Sequence, residues 1–235
     1  MTARLPVEGP ILVVAPHPDD ESLGCGGLIA GSVRAGQRLH VVFVTDGGAS
    51  HRRSRSWSRA RLASCREEEA HEALRRLGAG DCERSFLRLP DAAMPAPGSA
   101  AYAEARNRLI AILRDLTPRL VVLPWRRDPH CDHRDSWSLV MACLAATGLA
   151  PQILEYAIWL DELGGDGDHP RSREMERVGL DVSIDVAAKR HAVEAHRSQL
   201  GALITDDPDA FVLSERTIDR LTGPQEIYWR PCPGA

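Results

Sequence analysis

Apolar residues along this chain fall into two patterns. Short unbroken runs recur at Ile11-Leu12-Val13-Val14, at Val41-Val42-Phe43-Val44 and at Leu120-Val121-Val122-Leu123. Runs of that length read as strands buried on both faces, the habit of a parallel sheet. Between them apolar positions return at helical spacing. Over 59–77, Leu62, Ala70, Ala73, Leu74 and Leu77 share one face, and the same period over 102–116 ends before Pro118. Gly36 and Gly78 stand where two helices must stop. The pattern predicts helices over 22–35, 59–77, 102–116, 135–146 and 189–200. It predicts strands over 11–14, 40–45, 85–89, 120–123, 153–159 and 180–186. Strand and helix alternate. The expected fold is α/β: a single Rossmann-like three-layer domain over residues 1–235, its mostly parallel sheet flanked by helices. In the tail, Phe211, Ile227, Tyr228 and Trp229 are expected to pack.

Composition narrows the picture. A chain of 235 residues, 43% hydrophobic and 26% charged, suits one soluble domain with one good core. A net charge of -4 makes no case for a nucleic-acid or membrane partner, and no apolar run is long enough to span a bilayer. Residues 1–6 lack the apolar core of a signal peptide. Six cysteines occur without a Cys-x-x-Cys pair, as expected of reduced thiols in the cytoplasm. Lys189 is the only lysine. The oligomeric state is open at this level, a homo-oligomer included.

The chemistry is concentrated at two strand ends. After Ile11-Leu12-Val13-Val14 comes Ala15-Pro16-His17-Pro18-Asp19-Asp20-Glu21. Two prolines forbid a helix between them and place His17, Asp19 and Asp20 on a stiff loop. Imidazole and carboxylate suit a divalent metal such as zinc, and a second carboxylate beside them can accept a proton from water the metal has acidified. Three acids in a row repel one another unless a cation sits among them. The plainer reading, a capped and solvated turn, explains the acids but not the prolines around His17. The glycines that follow fail as a dinucleotide fingerprint, because Ile29 stands where the last glycine should be. The logic repeats after the 120–123 strand, where prolines precede His130-Cys131-Asp132-His133.

These two motifs, in this order, resemble the signatures of the LmbE-like, or PIG-L-like, zinc deacetylases, which remove the acetyl group from N-acetylglucosamine-containing substrates. The resemblance implies His17, Asp20 and His133 as metal ligands, holding Zn2+ or another divalent ion such as Fe2+. It implies Asp19 as general base and His130, as imidazolium, as the group that polarises the carbonyl. Asp132 would orient His130 and keep it charged, and Arg66 would point toward the substrate. The expected partner is a small amino-sugar conjugate. Two departures stand out: Cys131 where the family often has proline, expected as a buried spectator, and Ala92 where a glycine often follows Pro90-Asp91.

Two rivals share the same residues. A histidine pair with one carboxylate also forms the facial triad of non-haem iron enzymes. Asp19 separates the readings, since a hydrolase needs a base beside its water. A metal-binding module without turnover is the other rival, against which every catalytic position is filled. The basic run 51–61 reads either as a surface loop or as a lid meeting an anionic group. Loop 164–170 is placed at the rim, Asp128 as a minor partner of the metal group, and His191 and His196 at the surface.

Overall fold

A computed structural model describes residues 8–232; residues 1–6, considered above, lie outside them. The chain runs β1 (Ile11–Ala15), α1 (Asp20–Arg34), β2 (Leu39–Thr45), α2 (Arg59–Arg76), β3 (Glu83–Leu89), α3 (Ala100–Leu116), β4 (Leu120–Pro124), α4 (Cys131–Thr147) and β5 (Gln152–Tyr156). It continues through a short α5 (Leu160–Leu163), β6 (Met175–Asp181), α6 (Val186–Val193), a 3-10 turn at Arg197–Gln199, α7 (Glu215–Leu221) and β7 (Gln225–Pro231). The seven strands form one sheet in the order β3-β2-β1-β4-β5-β7-β6. The first five are parallel, and β7 runs antiparallel to both of its neighbours.

Alternation within β1 builds the three layers. Ile11, Val13 and Ala15 join a core with Leu28 and Ile29 of α1, Leu74 of α2 and Ala192 of α6. Leu12 and Val14 face the other way, into a core with Leu109 and Leu113 of α3 and Leu139 and Val140 of α4. Serines start two of these helices, Ser58 accepting from Arg61 N–H and Ser99 from Tyr102 N–H. α1 lies unusually deep, and its glycines allow that. A Cβ on Gly24 would stand 2.3 Å from the Tyr156 ring, and one on Gly27 would stand 2.4 Å from Val182.

Several boundaries move. α1 begins at Asp20 rather than at residue 22, and α4 at Cys131 rather than at 135, so each motif enters the first turn of its helix. The strand expected over 180–186 is instead the end of β6 followed by a turn. Asp185 N–H bonds Val182 C=O, and Ile184, one of the alternating apolar residues, is 59% exposed. The helix expected over 189–200 ends at Val193 and resumes as the 3-10 turn. β5 stops at Tyr156, short of residue 159. Ile227, Tyr228 and Trp229 do pack, but as part of β7, while Phe211 is 40% exposed.

Candidate metal centre and its cleft

β1 and β4 lie side by side where the strand order reverses, the point at which an open parallel sheet offers a crevice. Pro16 fixes the exit from β1, its carbonyl accepting both the N–H and the hydroxyl of Thr45 at 2.9 Å. The chain then turns through Asp19 at a φ of 143°, a region that favours glycine and costs another residue on the order of 1–3 kcal/mol. Asp19 is the N-cap of α1, yet its side chain makes no capping bond. Its N–H donates to Glu21 Oε2 at 2.9 Å, while Arg66 Nη2 lies 3.1 Å from its Oδ1. Arg66 is buried and donates to the carbonyls of Gly47 at 2.9 Å and Pro18 at 2.6 Å. Arg66 therefore holds the loop and the acid together.

The expected ligand triad converges on one oxygen. Asp20 Oδ2 accepts His17 N–H at 2.9 Å and lies 3.2 Å from His17 Nδ1 and 3.3 Å from His133 Nε2. His130 caps α4, its Nδ1 accepting Asp132 N–H at 3.2 Å, so in the neutral ring the proton sits on Nε2. Asp132 turns its carboxylate elsewhere. Its Oδ2 lies 3.0 Å from His17 Nε2 and accepts Ala92 N–H at 2.7 Å.

Sequence reasoning undervalued three supports. Asp128, fully buried, accepts N–H bonds from Ile158 and Trp159 at 3.2 Å and lies 3.5 Å from His133 Nδ1. Asp91, read only as a turn, brings Oδ1 to 3.4 Å from His17 Nε2 and accepts Ala49 N–H at 2.8 Å. Its signal was there: an acid immediately after a strand, as in the other two motifs. His196, expected at the surface, is buried with Nε2 2.9 Å from Glu21 Oε1. The early end of α6 is what turns it inward beneath α1. His191 is exposed, as expected. Cys131 is exposed rather than buried.

Charge is unevenly shared among these groups. Burial opposes a charged His17, but bonds to Asp132, Asp20 and Asp91 raise it well above the usual imidazole value. Burial likewise opposes a charged His133, yet Asp20 and Asp128 carry it up to about 9. Burial lifts Asp19 to about 6 against the pull of Arg66. Burial also pushes Asp20 upward, but His133 and His17 hold it well below the carboxylate range. In the metal-free fold a charge on His130 is opposed. Burial, then the positive His17 and His133, push it down to about 4 against the charges of Asp132 and Asp20, while Asp132 N–H donates to its Nδ1.

The residues fit a metal. Both ring nitrogens of His133 are buried without a formed hydrogen bond, a state that asks for a partner. Donor atoms of His17, His130 and His133 lie within 4.8 Å of one another, and His17 with Asp91 and Asp132 forms a second such group. Imidazole nitrogens with carboxylate oxygens suit zinc and neighbouring divalent ions.

Above this floor opens a cleft of about 390 Å³. The buried His17, Asp19 and Asp20 line it together with Ser50, Gln199 and Trp159 and the exposed Leu163 and Phe211. The basic run divides. Arg52 and Arg53 line the cleft, Arg53 paired with Asp209, whereas Arg59 binds Asp46 and Arg61 lies over Trp57. Loop 164–170 does not line the cleft; the carbonyls of Asp168 and His169 accept from Trp125 and Arg127 instead. No helix among the described residues is long and apolar enough to cross a membrane.

Comparison with known proteins converges on one group. The family model described as PIG-L, GlcNAc-PI de-N-acetylase, matches residues 12–144. A protein of Rhodococcus jostii named 1D-myo-inositol 2-acetamido-2-deoxy-alpha-D-glucopyranoside deacetylase is 32% identical over 81% of each chain. Its namesake from Rhodococcus opacus is 32% identical over 59% of this chain, a match that spans only 54% of the relative's own length. Among solved structures, the N,N'-diacetylchitobiose deacetylase of Pyrococcus horikoshii superposes with a TM-score of 0.62 at 27% identity, over 81% of this chain and 70% of that one.

Proposed function

Because the chain belongs to the PIG-L family of GlcNAc-PI de-N-acetylases, we propose that it is a metal-dependent hydrolase removing an N-acetyl, or another N-acyl, group from an N-acetylglucosamine-type sugar or its conjugate. One observation carries the reading. A buried carboxylate, Asp19, is held beside the His17, Asp20 and His133 cluster at the base of an open cleft, with its proton affinity lifted to about 6. We assign His17, Asp20 and His133 to the metal and read the metal as zinc. When bound, it supplies Lewis acidity and acidified water.

The chain's own residues account for the remaining work. Asp19 takes the proton of the attacking water and returns it to the departing nitrogen, so amide and water become carboxylate and amine. An acid near 6 is ionised at neutral pH yet still a useful base. Arg66 keeps it in place from behind, as a positioning residue rather than a substrate ligand. His130 presents Nε2–H as a donor to the oxygen that gains charge. Asp128 orients His133, and Asp132 and Asp91 orient His17. The free cysteines of the described residues fit a reducing compartment, and we place the enzyme in the cytoplasm as one domain.

Acetate release from a panel of N-acetylglucosamine conjugates, on protein of known metal content and with Asp19→Asn alongside, tests this. Release that requires metal and collapses in the variant supports the reading. Metal-loaded wild type that releases nothing from any panel member removes the substrate class.

A further inference from the structure

The cleft is not polar throughout, and its outer part bears on the choice of substrate. Four large hydrophobic side chains are exposed among the described residues: Leu163, Ile184, Phe211 and Val212. Leu163, 67% exposed, and Phe211 line the cleft, and Val212 is next in sequence. Trp159 completes the group, its ring meeting that of Phe211 edge to face with centroids 5.2 Å apart. Solvent-facing apolar side chains that cluster, rather than scatter, mark a surface built to be covered.

This corner is held firmly. Phe211 N–H donates to Ser50 C=O at 3.0 Å and Leu213 N–H to Gln199 C=O at 2.8 Å, so the backbone on both sides of Phe211 is fixed. Trp159 N–H donates to Asp128 at 3.2 Å, the same carboxylate that faces His133. Trp159 also precedes α5, which carries Leu163 at its end. One buried acid thus joins the metal group to the apolar corner, and Asp19, Trp159, Leu163 and Phe211 line the same cleft.

Resting on the function proposed above, we propose that this corner is an aglycone subsite and that the preferred substrates are N-acetylglucosaminides carrying an apolar, aryl or alkyl, aglycone. A second sugar ring is the competing occupant, because a pyranose stacks on an aromatic face. Leu163, the most exposed of the group, offers no such face, and an aliphatic side chain favours an apolar partner.

The test uses the metal-loaded full chain with N-acetylglucosamine, N,N'-diacetylchitobiose, and the octyl and benzyl N-acetylglucosaminides. Both kcat/KM and calorimetric binding are measured. Wild type should favour the octyl and benzyl compounds over the two polar ones by roughly tenfold or more, with apolar burial seen as a negative heat-capacity change. Leu163→Asp, a change at an exposed site that leaves the fold in place, should remove most of that preference. Phe211→Ala should act in the same direction. Equal binding of polar and apolar glycosides by wild type overturns the proposal, as does a preference that survives both variants. Selection of diacetylchitobiose, lost in Phe211→Ala but kept in Leu163→Asp, overturns it in favour of a sugar platform. Absence of turnover from every compound, with apolar glycosides still bound more tightly, brings down the hydrolase reading and leaves the subsite standing.

Discussion

The floor of the cleft and its rim are built by different means. The floor is assembled from residues directly after β1, β3 and β4: His17, Asp19 and Asp20, then Asp91, then His130, Asp132 and His133. Each is buried or partly so, and each is held by backbone donors or by another floor residue. The rim comes from residues 48–58 and 204–212, joined through exposed pairs such as Arg53 with Asp209 and through Asp206 accepting from Ser54 and Ser56. Charges on the floor are shielded from water and perturb one another strongly. Charges on the rim are hydrated and screened. Charge is therefore expensive to disturb on the floor and cheap to disturb on the rim, even where the rim's backbone is fixed, as at Phe211.

The sharpest way to break that contrast is at Asp19. Asp19→Asn keeps the shape and removes the base, so kcat should fall by about 10²–10⁴ with metal content unchanged; a loss of less than tenfold would mean that the proton goes elsewhere. Next is Asp128→Asn. Metal affinity should fall by about 10–100-fold, with activity returning as metal is added in excess. Competition against a chromophoric chelator measures it.

A pH experiment separates the regions without mutation. His133 in the metal-free fold is raised from the ordinary 6.5 to about 9, so its contribution to stability is complete below 6.5 and lost as pH rises through 9. His17 is raised as well and acts in the same direction. Chelator-treated protein should therefore lose thermal stability between pH 6.5 and 9. Metal-loaded protein should be flatter there, because the ligands are already deprotonated, and metal uptake at pH 7 should release protons. Parallel curves for the two forms would refute the assignment.

Smaller effects complete the series. Ala92 sits at a φ of 54° while its N–H serves Asp132, so Ala92→Gly should raise stability by about 1 kcal/mol and leave that bond in place. Arg53→Ala, in an exposed ion pair, should change stability by no more than about 1 kcal/mol and less at high salt, with kcat unchanged. Denaturant melts resolve the first, and a salt series on the second shows whether the rim is as loosely coupled as it looks.

The same contrast explains what was legible beforehand. The floor could be read because its cues are local: an apolar run, prolines, then histidine and acid within a few residues. β1 and β4 follow from that, whereas the ligand set His17, Asp20 and His133 came from the family resemblance. The more distant supports, His196 and Glu69, could not be read in this way, because each depends on where a distant segment ends. His196 reaches Glu21 only because α6 stops at Val193, and Glu69 meets Ser198 across 129 residues of sequence. β7 was hidden for a related reason. It lies between β5 and β6, which precede it in sequence, and binds both antiparallel, a pairing no run of residues announces. Alternation near residue 184 looked like a strand but belonged to a turn.

Asp19 carries one more implication, and it is historical. Its backbone conformation suits glycine, and nothing but its carboxylate recommends aspartate there. A gene copy released from selection for hydrolysis would gain by losing that side chain, since glycine relaxes the turn and removes a buried carboxylate, with the Arg66 pair as the loss set against it. Drift from this sequence would then run downhill at the very position where activity resides. Descendants with glycine at 19 should be more heat-resistant than the parent and inert toward amides, a pairing that a thermal melt and an acetate assay on Asp19→Gly would reproduce in a single step.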